Sequence, residues 1–161
     1  MGDMGLVEKG VVWKLNRAVY GLRQSPTWWS DERDAKLRKL MWTSGGDHVY
    51  LEQHEVDSQV WSIRRRGNPC ELLGLLCVYV DDFLLLAEDG PAREASVQAL
   101  TTVWEFGAER VLTPDVSLGF LGLDFYQRSN GDIYLSQKRL TKGLLQKWGG
   151  LVQVDQGHSH G

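Results

Sequence analysis

Two adjacent aspartates, Asp81 and Asp82, interrupt an otherwise apolar stretch that runs from Leu72 to Ala87. Side-by-side carboxylates repel one another, so one of them resists ionisation unless a cation neutralises the pair. Hard divalent cations favour carboxylate oxygens and keep water molecules that can give way to substrate phosphates. The chemistry this arrangement could serve is phosphoryl transfer with two metal ions about 4 Å apart. The same dipeptide is also an ordinary turn, since Asp hydrogen-bonds readily to its own backbone. Taken alone, the turn is the better-founded reading. The apolar flanks argue the other way, because they imply a sheet buried over much of both faces with two like charges at its tip.

The elements that would position this pair follow from periodicity. Leu72–Val80 and Phe83–Ala87 read as two strands of a hairpin with the carboxylates at its end. Upstream, Val11 to Leu15 alternates as a short strand. Tyr20-Gly21-Leu22-Arg23-Gln24-Ser25-Pro26 leads into a helix expected from Pro26 to about Met41, with Pro in its first turn. Trp29, Leu37, Leu40 and Met41 share one face of it, and Arg33 lies among them with its charge free to snorkel. Glu32 with Lys36, and Asp34 with Arg38, are opposite charges at i,i+4. Ser44 to Asp47 breaks the helix, and Val60 to Ile63 is a strand. Arg64-Arg65-Arg66 is a basic turn, either solvated or aimed at phosphates. A second helix spans Pro91 to Trp104, and Leu118 to Tyr126 is a strand region. Asn130-Gly131 signals a hairpin whose partner strand starts at Ile133. A third helix runs from Gln137 to Trp148 with Leu140, Leu144, Leu145 and Trp148 on one side. The resulting order is β-α-β-ββ-α-ββ-α, an α+β domain with an antiparallel sheet and helices packed on one face.

Composition is consistent with this. The chain has 161 residues, 42% of them hydrophobic and 24% charged, with seven Trp to fill a core. Its two cysteines, Cys70 and Cys77, make no disulfide framework, and Cys77 reads as a small buried hydrophobe. The opening residues have no basic start and no long apolar block, so no signal peptide is expected, and the longest apolar run is too short to span a bilayer. The net charge of −3 is unevenly spread. Residues 67–135 hold 11 acidic against 3 basic side chains, while residues 136–161 hold 1 against 4. An acidic centre between mildly basic flanks suits a cation site next to phosphate-binding walls, and it equally suits ordinary solvated surface.

Four segments in order carry a family resemblance. Tyr20 to Pro26, Tyr79-Val80-Asp81-Asp82, Phe120-Leu121-Gly122, and Ser136-Gln137 through Leu144-Leu145 resemble the reverse transcriptase of copia-type LTR retrotransposons. That family reads Leu-Tyr-Gly-Leu-Lys-Gln-Ala-Pro-Arg-x-Trp, then Tyr-Val-Asp-Asp, Phe-Leu-Gly, and Ser-Gln-x-x-Tyr-x-x-x-Leu-Leu. The resemblance covers about residues 12 to 149. It implies an incomplete reverse-transcriptase palm over residues 1–150; the tail at 151–161 has no family counterpart and reads as disordered. It implies that Asp81 and Asp82 are the catalytic, metal-binding carboxylates, Asp82 the less critical. Tyr20, Gly21, Gln24, Ser25, Pro26 and Tyr79 would position nucleotide and template, and Phe120, Leu121 and Gly122 would form the primer grip. Mg²⁺ or Mn²⁺ would be the cofactor of the complete enzyme. The implied partners are an RNA or DNA template with its primer, a dNTP, and the integrase and RNase H of the same polyprotein, with no membrane. The implied location is intracellular: cytoplasm, virus-like particles or nucleus.

The chain departs from the pattern at Thr27, where Arg is usual, and at Leu140, where Tyr is usual. The family's first catalytic aspartate lies in an Asp-Val-x-x-Ala-Phe strand upstream, yet only nineteen residues precede Tyr20. Asp3, in Gly2-Asp3-Met4-Gly5, has no apolar strand around it. The expectation is therefore that these residues alone do not polymerise. The alternative is a non-catalytic nucleic-acid-binding relic of a decayed retroelement, using Arg23, the Arg64–Arg66 run and the basic residues of the last helix.

Overall fold

The computed structural model describes residue 21 and residues 23–148. The strand expected at Val11–Leu15, the expected site residue Tyr20, and the tail at 151–161 lie outside the described residues.

Helix α1 (Ser25–Lys39) opens with Pro26 in its first turn, where the missing N–H costs nothing. It stops two residues earlier than expected because Leu40 is extended and Met41 begins a strand. Strands β1 (Met41–Ser44) and β2 (Asp47–Gln53) form a hairpin in a region expected to be only a helix break. Its two-residue turn is Gly45-Gly46, with φ of +60° and +87°. Both central positions of such a turn need positive φ, which glycine adopts without a Cβ clash. Strands β3 (Val60–Arg65), β4 (Asn68–Tyr79) and β5 (Asp82–Ala87) follow. The five pair antiparallel in sequence order, β1-β2-β3-β4-β5.

Alternation divides the two faces of this sheet. Val49, Leu51, Trp61, Ile63, Leu76 and Val78 point to one side and pack against Leu37 of α1 and Leu100 of α2 (Pro91–Thr101). Each fully buried side chain of this kind contributes about 1.5–3 kcal/mol. Phe83 and Leu85 extend the same face onto β5. The opposite face behaves differently from expectation. Leu72, Tyr79 and Leu86 are exposed there while Leu75, Cys77 and Leu84 are half-buried, so the apolar run is fully buried on one side and only partly on the other.

α2 ends at Thr101, short of the expected Trp104, where the hydroxyls of Thr101 and Thr102 bond the carbonyls of Gln98 and Ala99. Strands β6 (Leu118–Phe120), β7 (Leu123–Gln127) and β8 (Ile133–Ser136) make a second antiparallel sheet. The expected single strand from Leu118 to Tyr126 is thus a hairpin, turned at Leu121-Gly122 with φ of +52° and +76°. The Asn130-Gly131 signal does mark the β7–β8 turn. The Asn130 carboxamide accepts the Asp132 N–H, and Gly131 has φ +91°. Helix α3 (Lys138–Trp148) forms where periodicity places it, but Leu140, Leu144, Leu145 and Trp148 are all exposed. Packing of helices on the sheet therefore holds for α1 and α2. No helix among the described residues is long and apolar enough to cross a membrane.

Candidate functional site

The β4–β5 hairpin closes with Val80 and Asp81 between the paired residues Tyr79 and Asp82. Val80 has φ +52°, a left-handed conformation that β-branched residues avoid because Cβ crowds the following carbonyl. The indole N–H of Trp29, on α1, donates a 2.8 Å hydrogen bond to the Val80 carbonyl. Fifty-one residues apart in sequence, the two groups fasten the first helix to the tip of the hairpin. Three buried indole N–H groups contrast with this exposed one: those of Trp42, Trp61 and Trp104 have no hydrogen-bond partner among the described residues.

A polar assembly seats α1 on β2 nearby. Arg33 is almost completely buried and bonds Asp34 through Nε (2.9 Å) and Nη2 (2.8 Å). Asp34 also accepts Gln53 Nε2 at 3.0 Å, and Gln53 accepts Arg38. Arg33 is therefore a buried partner of its neighbour and does not snorkel to water. Of the two i,i+4 pairs expected on α1, Glu32–Lys36 forms at 2.8 Å. Asp34 and Arg38 instead meet through Gln53, because that amide reaches both across the helix–sheet interface.

On the other side of the hairpin lies an open cleft of about 1090 Å³. Asp81, Asp82 and Phe83 form one wall, α2 and the coil from Phe106 to Pro114 form a second, and Phe120 and Phe125 of the smaller sheet form a third. Phe83, Trp104 and Phe106 cluster at this wall with ring centroids 5.0 to 6.4 Å apart. Asp81, Asp82, Glu88, Asp89 and Glu109 face the cleft against Arg93 and Arg110. Arg93 is already bound to Glu109 (2.7 Å) and Asp89 (3.1 Å). The hydrogen bonds to those two carboxylates, Glu109 first, hold its pKa above the ordinary value. The cleft is thus net acidic, and a polyanion would enter it only with cations present.

The expected site residues fall into two groups around the tip. Asp81, Asp82 and Phe120 share the cleft. Pro26 and Tyr79 line a small pocket of about 170 Å³ on the opposite side, with Trp29 and Val80. Ser25 starts α1. Gln24 occupies the N-cap position, where its carbonyl accepts the Trp28 N–H and its side chain makes no capping bond. Gly21 has φ +94°. Leu121 and Gly122 form the β6–β7 turn and stand outside the cleft wall.

The carboxylate pair does not by itself make a metal centre. Among the described residues, no group of three or more His, Cys, Asp or Glu side chains could hold a metal ion. Asp81 and Asp82, both exposed, fit only as part of a ligand set for Mg²⁺ or Mn²⁺. The arginine triplet is also less available than its sequence suggests. Arg64 pairs with Glu52 and bonds the Pro69 carbonyl (2.9 Å). Arg65 pairs with Asp47 (2.8 Å) and Glu71 (3.1 Å). Trp29, which bonds the hairpin tip and lines the small pocket, is a residue that motif reasoning left without a role. Its position in the Pro-x-x-Trp end of the first motif was the available signal, but helical periodicity placed it with the core.

An acidic hairpin tip facing a cleft, with a helix fastened behind it, belongs here to a recognisable class. Residues 3–154 match the family described as reverse transcriptase (RNA-dependent DNA polymerase), and the chain belongs to that family. Among curated proteins, a putative transposon Ty5-1 protein of Saccharomyces cerevisiae is similar to it. The two are 29% identical over 130 residues, covering 78% of this chain and 35% of the yeast protein. The chain spans about a third of the length of that relative. No solved structure matches it.

Proposed function

We propose that this chain supplies the Asp-Asp portion of a template-directed DNA-polymerising centre of a copia-type retrotransposon. The reaction would be attack of a primer 3′-OH on the α-phosphate of a nucleotide. The observation that supports this reading best is the shared cleft, in which the tip carboxylates and Phe120 face one space large enough for a nucleic-acid end. In this reading Asp81 is the principal carboxylate and Asp82 its neighbour. Tyr79 and the Gly21–Pro26 segment would contact nucleotide and template from the α1 side. The β6–β7 turn would hold the primer. Divalent ions would need at least one further ligand beyond the described residues. In this reading the described carboxylates alone are too few to support primer extension.

Two assays test the proposal. Purified chain incubated with primer–template, dNTPs and Mg²⁺ or Mn²⁺ should give no incorporation, and robust extension would refute the incomplete-site argument. In the complete parent protein, Asp81→Asn should abolish extension while leaving primer–template binding near its original strength. Undiminished synthesis by that variant would remove Asp81 from the proposed role.

A further inference from the structure

We infer that Trp29 is a positioning residue for the carboxylate pair, acting through the backbone of Val80. The inference rests on the proposed role of Asp81 only for its functional meaning, since the mechanical coupling stands on geometry alone.

Three observations converge. Val80 is a β-branched residue held at φ +52°, an angle that a two-residue hairpin turn demands at its first central position and that a β-branched side chain resists. It belongs to a two-residue turn, so its backbone angles set the direction in which the next residue, Asp81, leaves the sheet. The tertiary hydrogen bond found at its carbonyl comes from the Trp29 indole at 2.8 Å. An indole N–H is a single donor on a rigid bicyclic ring, and the helix that carries it is anchored to β2 through the Arg33–Asp34–Gln53 assembly. A rigid donor on an anchored helix can hold a peptide plane in an otherwise unfavourable orientation. Released from that bond, the strained turn would lose the contact that opposes its relaxation, and the Asp81 carboxylate would shift relative to the cleft. The same indole lines the small pocket with Pro26 and Tyr79. It therefore joins the segment proposed to contact nucleotide with the carboxylates proposed to act on it.

The test uses backbone NMR of the 161-residue chain and three variants: Trp29→Phe, Val80→Gly, and both together. Phenylalanine keeps an aromatic ring in place and removes the donor. Glycine adopts positive φ without strain, so the turn no longer depends on the indole. Residual dipolar couplings at residues 79–83 report the direction of each peptide plane. Trp29→Phe should change these couplings and leave those of the β2–β3 core unchanged. Val80→Gly and the double variant should both keep the native pattern at Asp81 and Asp82, a rescue that a purely packing role for Trp29 would not produce. Native couplings at 79–83 in Trp29→Phe would overturn the inference. So would a double variant as perturbed as the single one. Should Trp29→Phe fail to fold, folding of the double variant supports coupling through Val80, and its failure to fold refutes it. None of these readouts depends on polymerase activity. A negative primer-extension result therefore bears on the proposed function and a negative coupling result bears on Trp29.

Discussion

Removing the carboxylate of Asp34 should be among the most damaging single changes on α1. Arg33 is almost completely buried, and Asp34 receives two bonds from it and one from Gln53. In Asp34→Ala the guanidinium stays buried without its counter-charge. Breaking one partner of a buried ion pair costs about 3–5 kcal/mol. Asp34 retains 13% of its side-chain exposure, so water can partly replace it and the lower end, about 3 kcal/mol, is expected. Urea unfolding followed by tryptophan fluorescence would measure it. With a slope of about 1.5 kcal/mol per molar urea, the midpoint should fall by roughly 2 M. The paired change Arg33→Met with Asp34→Asn should recover most of the loss, because no unpaired charge is then buried. A midpoint shift below about 0.3 M for Asp34→Ala, again set against that slope, would show that the pair does not fasten α1 to β2. The Trp29 bond to Val80 would then have lost its anchor.

Three further outcomes are expected. Gly74→Ala should destabilise the chain by about 1–3 kcal/mol through overpacking. A Cβ there would meet the Leu86 carbonyl oxygen at 2.7 Å and the Ala87 Cβ at 3.0 Å, and an unchanged thermal midpoint would contradict the register. Burial pushes the Cys77 thiol up, with the negative charge of Asp57 adding in the same direction. Since the raised pKa belongs to the folded state, its contribution to stability is complete below the unfolded pKa and is lost as pH rises through the folded one. Alkylation of Cys77 should therefore lag that of exposed Cys70 in the folded chain and catch up in urea. Equal rates in the folded chain would refute the assigned burial. Finally, Arg65→Gln should leave the salt dependence of primer–template binding unchanged, because Arg65 is engaged by Asp47 and Glu71. A slope reduced by about 1 would mean that it contacts phosphate after all.

The sequence by itself determined the local features. Continuous apolar runs specified β4 and β5, Val60 to Ile63 marked β3, and the Asp-Asp interruption placed the β4–β5 turn to within one residue. The Asn130-Gly131 dipeptide marked the β7–β8 hairpin, and Pro26 and Pro91 marked two helix starts. Four ordered motifs were enough to recognise the family. Each of these is encoded by neighbours within a few residues, where backbone sterics and side-chain alternation act directly. The β1–β2 hairpin was also local, signalled by Gly45-Gly46 between alternating residues, but its short strands lay hidden against the end of α1.

Tertiary structure alone decided which face of the sheet is buried, because alternation in β4 and β5 is apolar on both sides and cannot distinguish them. It also paired Arg64 with Glu52 and Arg65 with Asp47, 12 and 18 residues away, and it buried Arg33 against Asp34. The chief tertiary result concerns the aspartates. As a sequence, Asp81-Asp82 is an ambiguous turn. Its orientation depends on a left-handed valine and on an indole fifty-one residues upstream. Side-chain propensity opposes that valine conformation, the two-residue hairpin turn demands it, and the long-range indole contact braces the result.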